Sequence, residues 1–243
     1  DELGLGLNSY LSAGVTVKNA SALVKIGKVG DIDITLTNDA DLIAAADSTV
    51  FGTAKVNGGC DATFQNVANL RVGQDDGAGG FSGLNGNLNV NGTVNDALVK
   101  NVSEQVYLNA VANSAVIEDS GSAIVENSAG GITLRRLNSA TVNNSTATIA
   151  AENISGGLSV GNVADINVSN TDINVQNGKT VNGNITSTTD LTLTNGGSAT
   201  VVGSISAVGK KLTINSAFNV ISSAPTAINA GTLSGSGLAA TIH

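Results

Sequence analysis

The chain has 243 residues and is 41% apolar, yet only 2% aromatic, with no Trp or Met. Charge is sparse at 12%, and the net balance is −8 with close basic pairs only at Arg135-Arg136 and Lys210-Lys211, so the footprint of a nucleic-acid or anionic-membrane binder is missing. The chain also lacks the low hydropathy and high charge of a disordered segment, and no apolar run reaches the ~18 residues of a membrane-inserting helix.

Residues 1–83 read as an irregular N-terminal β region or cap. They hold 10 of the 19 acidic residues and three of the four Phe. Leu3, Leu5 and Leu7 alternate with glycine, and Val15-Thr16-Val17 follows, with no proline to guard a strand edge. Ile32-Asp33-Ile34-Thr35-Leu36 alternates with the period of a half-buried strand. Asp39–Asp47 (DADLIAAAD) is the best helix candidate, with Asp39 as its cap. Cys60 is the only cysteine, so no intrachain disulfide forms; it reads as a small core residue or as a thiol that links or reacts. The glycine-rich run Gly73–Gly80 closes the region. Within it, Asp75 and Asp76 offer two carboxylates to calcium, the one cofactor the chain suggests, although a plain surface loop explains them as well.

Residues 84–243 fall into a rhythm. Short apolar centres such as Val116, Val125, Leu134, Val142 and Ile149 recur every seven to ten residues, each unit ending on Asn, Gly, Ser or Asp. The hexad D-I-N-V-S-N at 165–170 returns as D-I-N-V-Q-N at 172–177. A unit this short suits one side of a solenoid coil better than a hairpin with ordinary loops. The expected fold is an all-β, right-handed parallel β-solenoid (β-helix) with three sides and about 20–25 residues per coil, coils stacking at about 4.8 Å. Ile166, Val168, Ile173 and Val175 then point inward and Asn167 and Asn174 outward, while Asn side chains stack into ladders at corners. The alternative is an antiparallel β-sandwich or jelly roll completed by a donated strand. Near-identical neighbouring units, scarce aromatics and a single proline, Pro225, favour the solenoid. The rod ends in a tail strand carrying Leu238 and Ile242, which with Leu3, Leu5 and Leu7 are the candidate assembly residues.

Asn-x-Ser/Thr begins at Asn19, Asn91, Asn101, Asn143, Asn144, Asn153, Asn167 and Asn184. These are glycosylation candidates if the chain is exported by a glycosylating cell, and otherwise the chance product of an Asn/Ser/Thr-rich composition. A first residue Asp1 instead of Met fits a mature secreted chain or a trimmed segment.

Catalytic chemistry has little to work with. The one histidine, His243, is the last residue, which excludes a histidine triad, and one His with one Cys makes no zinc site. Asp31/Asp33, Asp39/Asp41, Asp75/Asp76 and Glu118/Asp119 are carboxylate pairs of the kind that cleave glycosidic bonds. Solvated faces or turn caps explain them more simply, because the aromatic platforms of sugar-cleaving clefts are missing. The chain therefore reads as a non-enzyme, with a polysaccharide-acting β-helix enzyme as an alternative.

The L-T-L and I-N-V units, such as Leu191-Thr192-Leu193 and Ile173-Asn174-Val175, set among Gly, Asn, Thr, Val and Ala, resemble secreted β-helix proteins: autotransporter passengers and filamentous-haemagglutinin-like adhesins. The resemblance spans roughly residues 84–223 and is one of style; it carries over no individual residue. It implies an extracellular, cell-surface role. The leading expectation is a secreted structural subunit that assembles with itself, head to tail, into a filament, sheath or surface layer. An adhesin stalk binding cell-surface glycans or matrix is the alternative.

Overall fold

A computed structural model of the chain describes residues 2–7, 9–37, 40–73, 83–222, 226–236 and 238–239. Contacts divide it into two compact units, Asp1–Val125 and Glu126–His243. No helix occurs among the described residues, and every described strand pairing in either unit is parallel. An antiparallel sandwich is thereby removed, and the β-solenoid expected over residues 84–243 holds; the same parallel pairing also joins the strands between Glu2 and Val72, where an irregular β region or cap was expected.

The first unit contains β1 (Glu2–Leu5), β2 (Val15–Ala20), β3 (Leu23–Val29), β4 (Ile32–Leu36), β5 (Leu42–Asn57), β6 (Ala62–Phe64), β7 (Asn66–Val72), β8 (Leu88–Lys100), β9 (Gln105–Glu118) and, at its end, β10 (Ser122–Glu126). One side of its coils stacks β1, β3, the start of β5, β6, and the starts of β8 and β9. A second side stacks β2, β4, the end of β5, β7, and the ends of β8 and β9. β5, β8 and β9 are long because each bends round the corner between these sides, where the register shifts by a bulge.

The helix expected over Asp39–Asp47 is a correction: Asp39 lies outside the described residues, and Leu42 onward is β5. Leu42 and Ala44 are buried and Ile43 is exposed, a period of two. Alanine's helix propensity is a weak local preference, and it yields to ladder pairing with β3 and β6 in the neighbouring coils.

The second unit contains β11 (Gly131–Leu137), β12 (Ser139–Asn143), β13 (Ile149–Ile154), β14 (Leu158–Val160), β15 (Ile166–Ser169), β16 (Ile173–Val175), β17 (Thr180–Val181), β18 (Ile185–Ser187), β19 (Leu191–Asn195), β20 (Ser198–Val202), β21 (Ile205–Ile214), β22 (Ala217–Ile221), β23 (Ile228–Gly235) and β24 (Leu238–Ala239). On its first side, Ile132, Ile149, Ile166, Ile185, Ile205 and Ile228 stand in register on consecutive coils. All but Ile228 are buried. β-branched side chains stacked on identical neighbours fill a narrow column without large fillers, which is why so few aromatics suffice.

The two hexads occupy adjacent sides of one coil. β15 pairs with β13 and β18, whereas β16 pairs with β14 and β19. Ile166, Val168, Ile173 and Val175 are buried, and Asn167 and Asn174 are exposed, as the alternation predicts.

Coil length is a second correction. Only 17 residues separate Ile132 from Ile149, and Ile149 from Ile166. The spacing then grows to 19 at Ile185, 20 at Ile205 and 23 at Ile228. The third side explains the change. It begins as single bridges, Ser145 to Val163 and Val163 to Val181, and widens into β17, β20 and β22. Side chains from two short faces already fill the core of the small coils, so no third strand is needed there.

Candidate functional site

Most of the polar side chains singled out by the sequence are used to build the coils. At one bend after another, an Asp or Asn carboxyl or carbonyl oxygen accepts the backbone N–H of the next coil. Asp31 takes that of Thr53 at 2.6 Å, Asp41 that of Asp61 at 3.1 Å, and Asp61 that of Asn87 at 2.6 Å. In the second unit, Asp165 takes that of Asn184 at 2.7 Å and Asp172 that of Thr192 at 2.9 Å. The leading Asp of each hexad therefore does the same job at two different corners. These bonds satisfy backbone donors that the strand ladder leaves open where the chain turns.

The closing Asn residues of the hexads diverge. Asn170 sits in the left-handed region with φ 47°, in line with Asn153 at φ 56° and Arg136 at φ 54°. Its amide donates to the Asn153 carbonyl oxygen at 3.0 Å. Asn177 leaves the left-handed turn to Gly178 and accepts the Ser198 backbone N–H at 3.0 Å. A second ladder joins Asn144, at φ 53°, to Asn127, at φ 48°, through a 3.3 Å amide bond.

The sequons divide by this use. The amides of Asn143, Asn144, Asn153 and Asn184 donate to Glu126, Asn127, Glu152 and Asp165 respectively. Asn19, Asn91 and Asn167 are exposed and Asn101 is half-buried; Asn19 and Asn101 take positive φ, and Asn91 and Asn167 lie on strands.

Cys60 is half-buried, and its sulfur lies within 4.8 Å of carboxylate oxygens of Asp41 and Asp61. Both carboxylates already accept backbone amides, so this is a corner of the coil stack. Glu118 is buried and ion-paired at 2.8 Å with its register partner Lys100. The carboxyl group of Asp96 is held below the usual carboxylate range by hydrogen bonds from Ser114, at 2.6 Å, and Asn113, at 3.2 Å. Asp47 is lowered by the hydrogen bond and charge of Lys28. Asp39, Asp75, Asp76, Ile242 and His243 lie outside the described residues.

Among the described residues, two kinds of surface stand out. The first is a pair of sheet edges. β1 is paired with β3 and β2 with β4, leaving Leu3 and Leu7 exposed and Leu5 half-buried. β23 is paired with β21, and β24 with β22, where Leu238 stands opposite Phe218. Along one column of the second unit Leu212 is 0% exposed, while its partner Leu233 on β23 is 50% exposed.

The second is a flank of the first unit. Tyr10 and Phe51 are 53% and 56% exposed. Their rings meet edge to face with centroids 5.1 Å apart. Phe51 adjoins Gly52, whose missing side chain leaves room for the Asp31 carboxylate. Beyond Asp31 opens a depression of about 480 Å³ lined by Thr16, Asp33, Thr53, Lys55 and Arg71. Thr16, Asp33, Lys55 and Arg71 stand in register on β2, β4, β5 and β7. No sequence signal joined Tyr10 to Phe51, because coil stacking alone brings them together.

No family model, curated protein or solved structure matched the chain. No helix of the described residues is long and apolar enough to cross a membrane.

Proposed function

We propose that the chain is a secreted structural subunit that assembles head to tail with copies of itself into an extracellular filament, sheath or surface layer. The observation that carries this reading is the contrast between Leu212, covered by the next coil, and Leu233, half in water on β23. A strand edge with unpaired N–H and C=O groups and an exposed aliphatic column is a template for another strand. The β1/β2 edge, with Leu3 and Leu7, offers a surface of the same kind. Joining unlike edges of successive copies is a heterologous contact, and such contacts propagate when they do not close. The polar corners, spent on holding coils together, are consistent with a structural and non-catalytic role.

Sedimentation velocity and electron microscopy of the purified chain test this. Concentration-dependent polymers are expected, and Leu233→Asp or Leu3→Asp should reduce them to single subunits without unfolding. A chain that remains monomeric at about millimolar concentration refutes self-assembly. Immunolabelling of intact cells tests the extracellular placement separately.

A further inference from the structure

On the head-to-tail reading above, the β23 edge of one copy meets the β1 edge of the next, and the two edges differ in charge. We propose that the second half of β23 (residues 232–235) takes β1 of a second copy as its next parallel strand. Leu233 then lies opposite Leu3, and an ion pair between Lys211 and Glu2 sets the polarity and the register of the joint.

The β23 edge is cationic. No Asp or Glu follows Asp190 in the sequence, whereas Lys210 and Lys211 do. Both lysines are exposed, and neither ammonium has an ion-pair partner among the described residues. Asp190, one coil further back, accepts the Lys211 backbone N–H at 2.9 Å. Lys211 stands in register with Thr232, and Leu212 with Leu233. The cation therefore sits one coil behind the open strand, on the outward face beside the half-exposed Leu233.

The β1 edge has the opposite order. Glu2 lies on the edge strand itself, while Leu3 and Leu5 stand opposite the buried Val24 and Ile26 and so take the inward positions. Lys25, on the next coil in, pairs with Glu2 at 2.8 Å but leaves the Glu2 side chain 46% exposed, with room for a second cation. Lys18, the other described charge on this end's two edge strands, is on β2 along the adjacent side.

Alternation then limits the choice of register. Inward residues stack only on inward residues, so Leu233 meets Leu3 or Leu5. The first choice sets Thr232 beside Glu2 and Gly235 beside Leu5. Lys211 and Glu2 are then two strand spacings apart, about 10 Å between Cα atoms, a span that the two side chains close. The second choice sets Thr232 beside Gly4 and turns Lys25, the register partner of Gly4, toward Lys211, cation toward cation. Contacts between like edges fare no better, since they gather the lysines of two copies or set Glu2 against Glu2. An exposed ion pair adds little affinity, so Leu233 on Leu3 holds the joint and the charges select it.

The test has two parts, both on the full chain. With Cys60→Ser removing the native thiol, copies carrying Ser234→Cys are mixed with copies carrying Gly4→Cys and oxidised. Neighbouring parallel strands place these two positions within disulfide range. Cross-linked dimers should form at least tenfold faster than in a mixture of Thr232→Cys and Gly4→Cys copies, which reports the shifted register. In sedimentation, Lys211→Glu should weaken association about fivefold, and so should the reversed internal pair Glu2→Lys/Lys25→Glu. Combining all three substitutions should restore it, with melting temperatures unchanged throughout. The proposal is overturned if the two mixtures cross-link equally, or if the triple variant associates no better than Lys211→Glu. Polymers that form regardless of these changes refute the register and leave head-to-tail assembly standing. An unmodified chain that stays monomeric refutes both.

Discussion

The side-chain amide of Asn170 donates to the side-chain carbonyl of Asn153 across 3.0 Å, joining two left-handed residues that are 17 positions apart. The bond does two things. It satisfies an amide at an exposed corner, and it ties one coil to the next where strand pairing is interrupted.

Asn170→Ala should therefore destabilise the chain by about 1–3 kcal/mol, since it loses the bond and leaves a Cβ residue at positive φ with no compensating amide. Asn170→Gly should cost less, because glycine takes that φ freely. Chemical denaturation of both variants separates the two contributions. Equal losses would show that backbone conformation at this corner is unimportant.

The isoleucine column predicts a core effect. Ile166 is fully buried between Ile149 and Ile185. Ile166→Ala opens a cavity that stacked coils cannot close without breaking register, so a loss of about 2–5 kcal/mol is expected. Ile166→Val should cost about 0.5–1.5 kcal/mol. Thermal and denaturant unfolding measure both.

Lys100 and Glu118 form the ion pair with the least exposed carboxylate among those described. Lys100→Met takes the ammonium away from a carboxylate held out of water, and should cost about 2–3 kcal/mol after allowance for the partial exposure of Lys100. Adding Glu118→Leu should restore most of it, since an apolar pair of similar volume replaces a buried charge. A double variant no more stable than Lys100→Met would refute this account.

Asp96 gives a pH dependence of known sign. Its carboxyl group titrates below the ordinary carboxylate range in the folded chain, chiefly through the Ser114 hydroxyl and then the Asn113 amide. The stability it adds is present above the unfolded-state value of about 3.9 and disappears as pH falls through the folded-state value. Ser114→Ala should raise the Asp96 titration midpoint, read by carbonyl NMR, and flatten the loss of stability in acid. An unchanged midpoint would mean that the hydrogen bond does not form in solution.

Much of this was legible in the residues. Alternation gave the strands, because inward Ile and Val must recur every second position on a pleated strand. The twin hexads announced two sides of one coil and placed Ile166, Val168, Ile173 and Val175 inside. Asn at unit ends announced the corner ladders, since Asn tolerates left-handed φ better than most residues.

Other features depended on neighbours far along the chain. DLIAAAD has helical composition, but Leu42–Ala44 becomes a strand because β3 and β6 bracket it. The shortness of the coils at Ile132–Ile166 follows from a third side reduced to a bridge, a packing outcome that no local pattern encodes. Arg136 occupies a left-handed corner usually given to Asn or Gly, a position set by its place in the stack with Asn153 and Asn170.

The sequence by itself thus determined an all-β chain with an aliphatic interior and Asn-, Asp- and Gly-marked corners, because period and turn chemistry are properties of adjacent residues. Only the tertiary structure decided which residues meet across coils: Tyr10 with Phe51, Lys100 with Glu118, and the row Thr16, Asp33, Lys55, Arg71. Those meetings depend on the length of every intervening coil, and a one-residue change in any coil would turn a different side chain toward each partner.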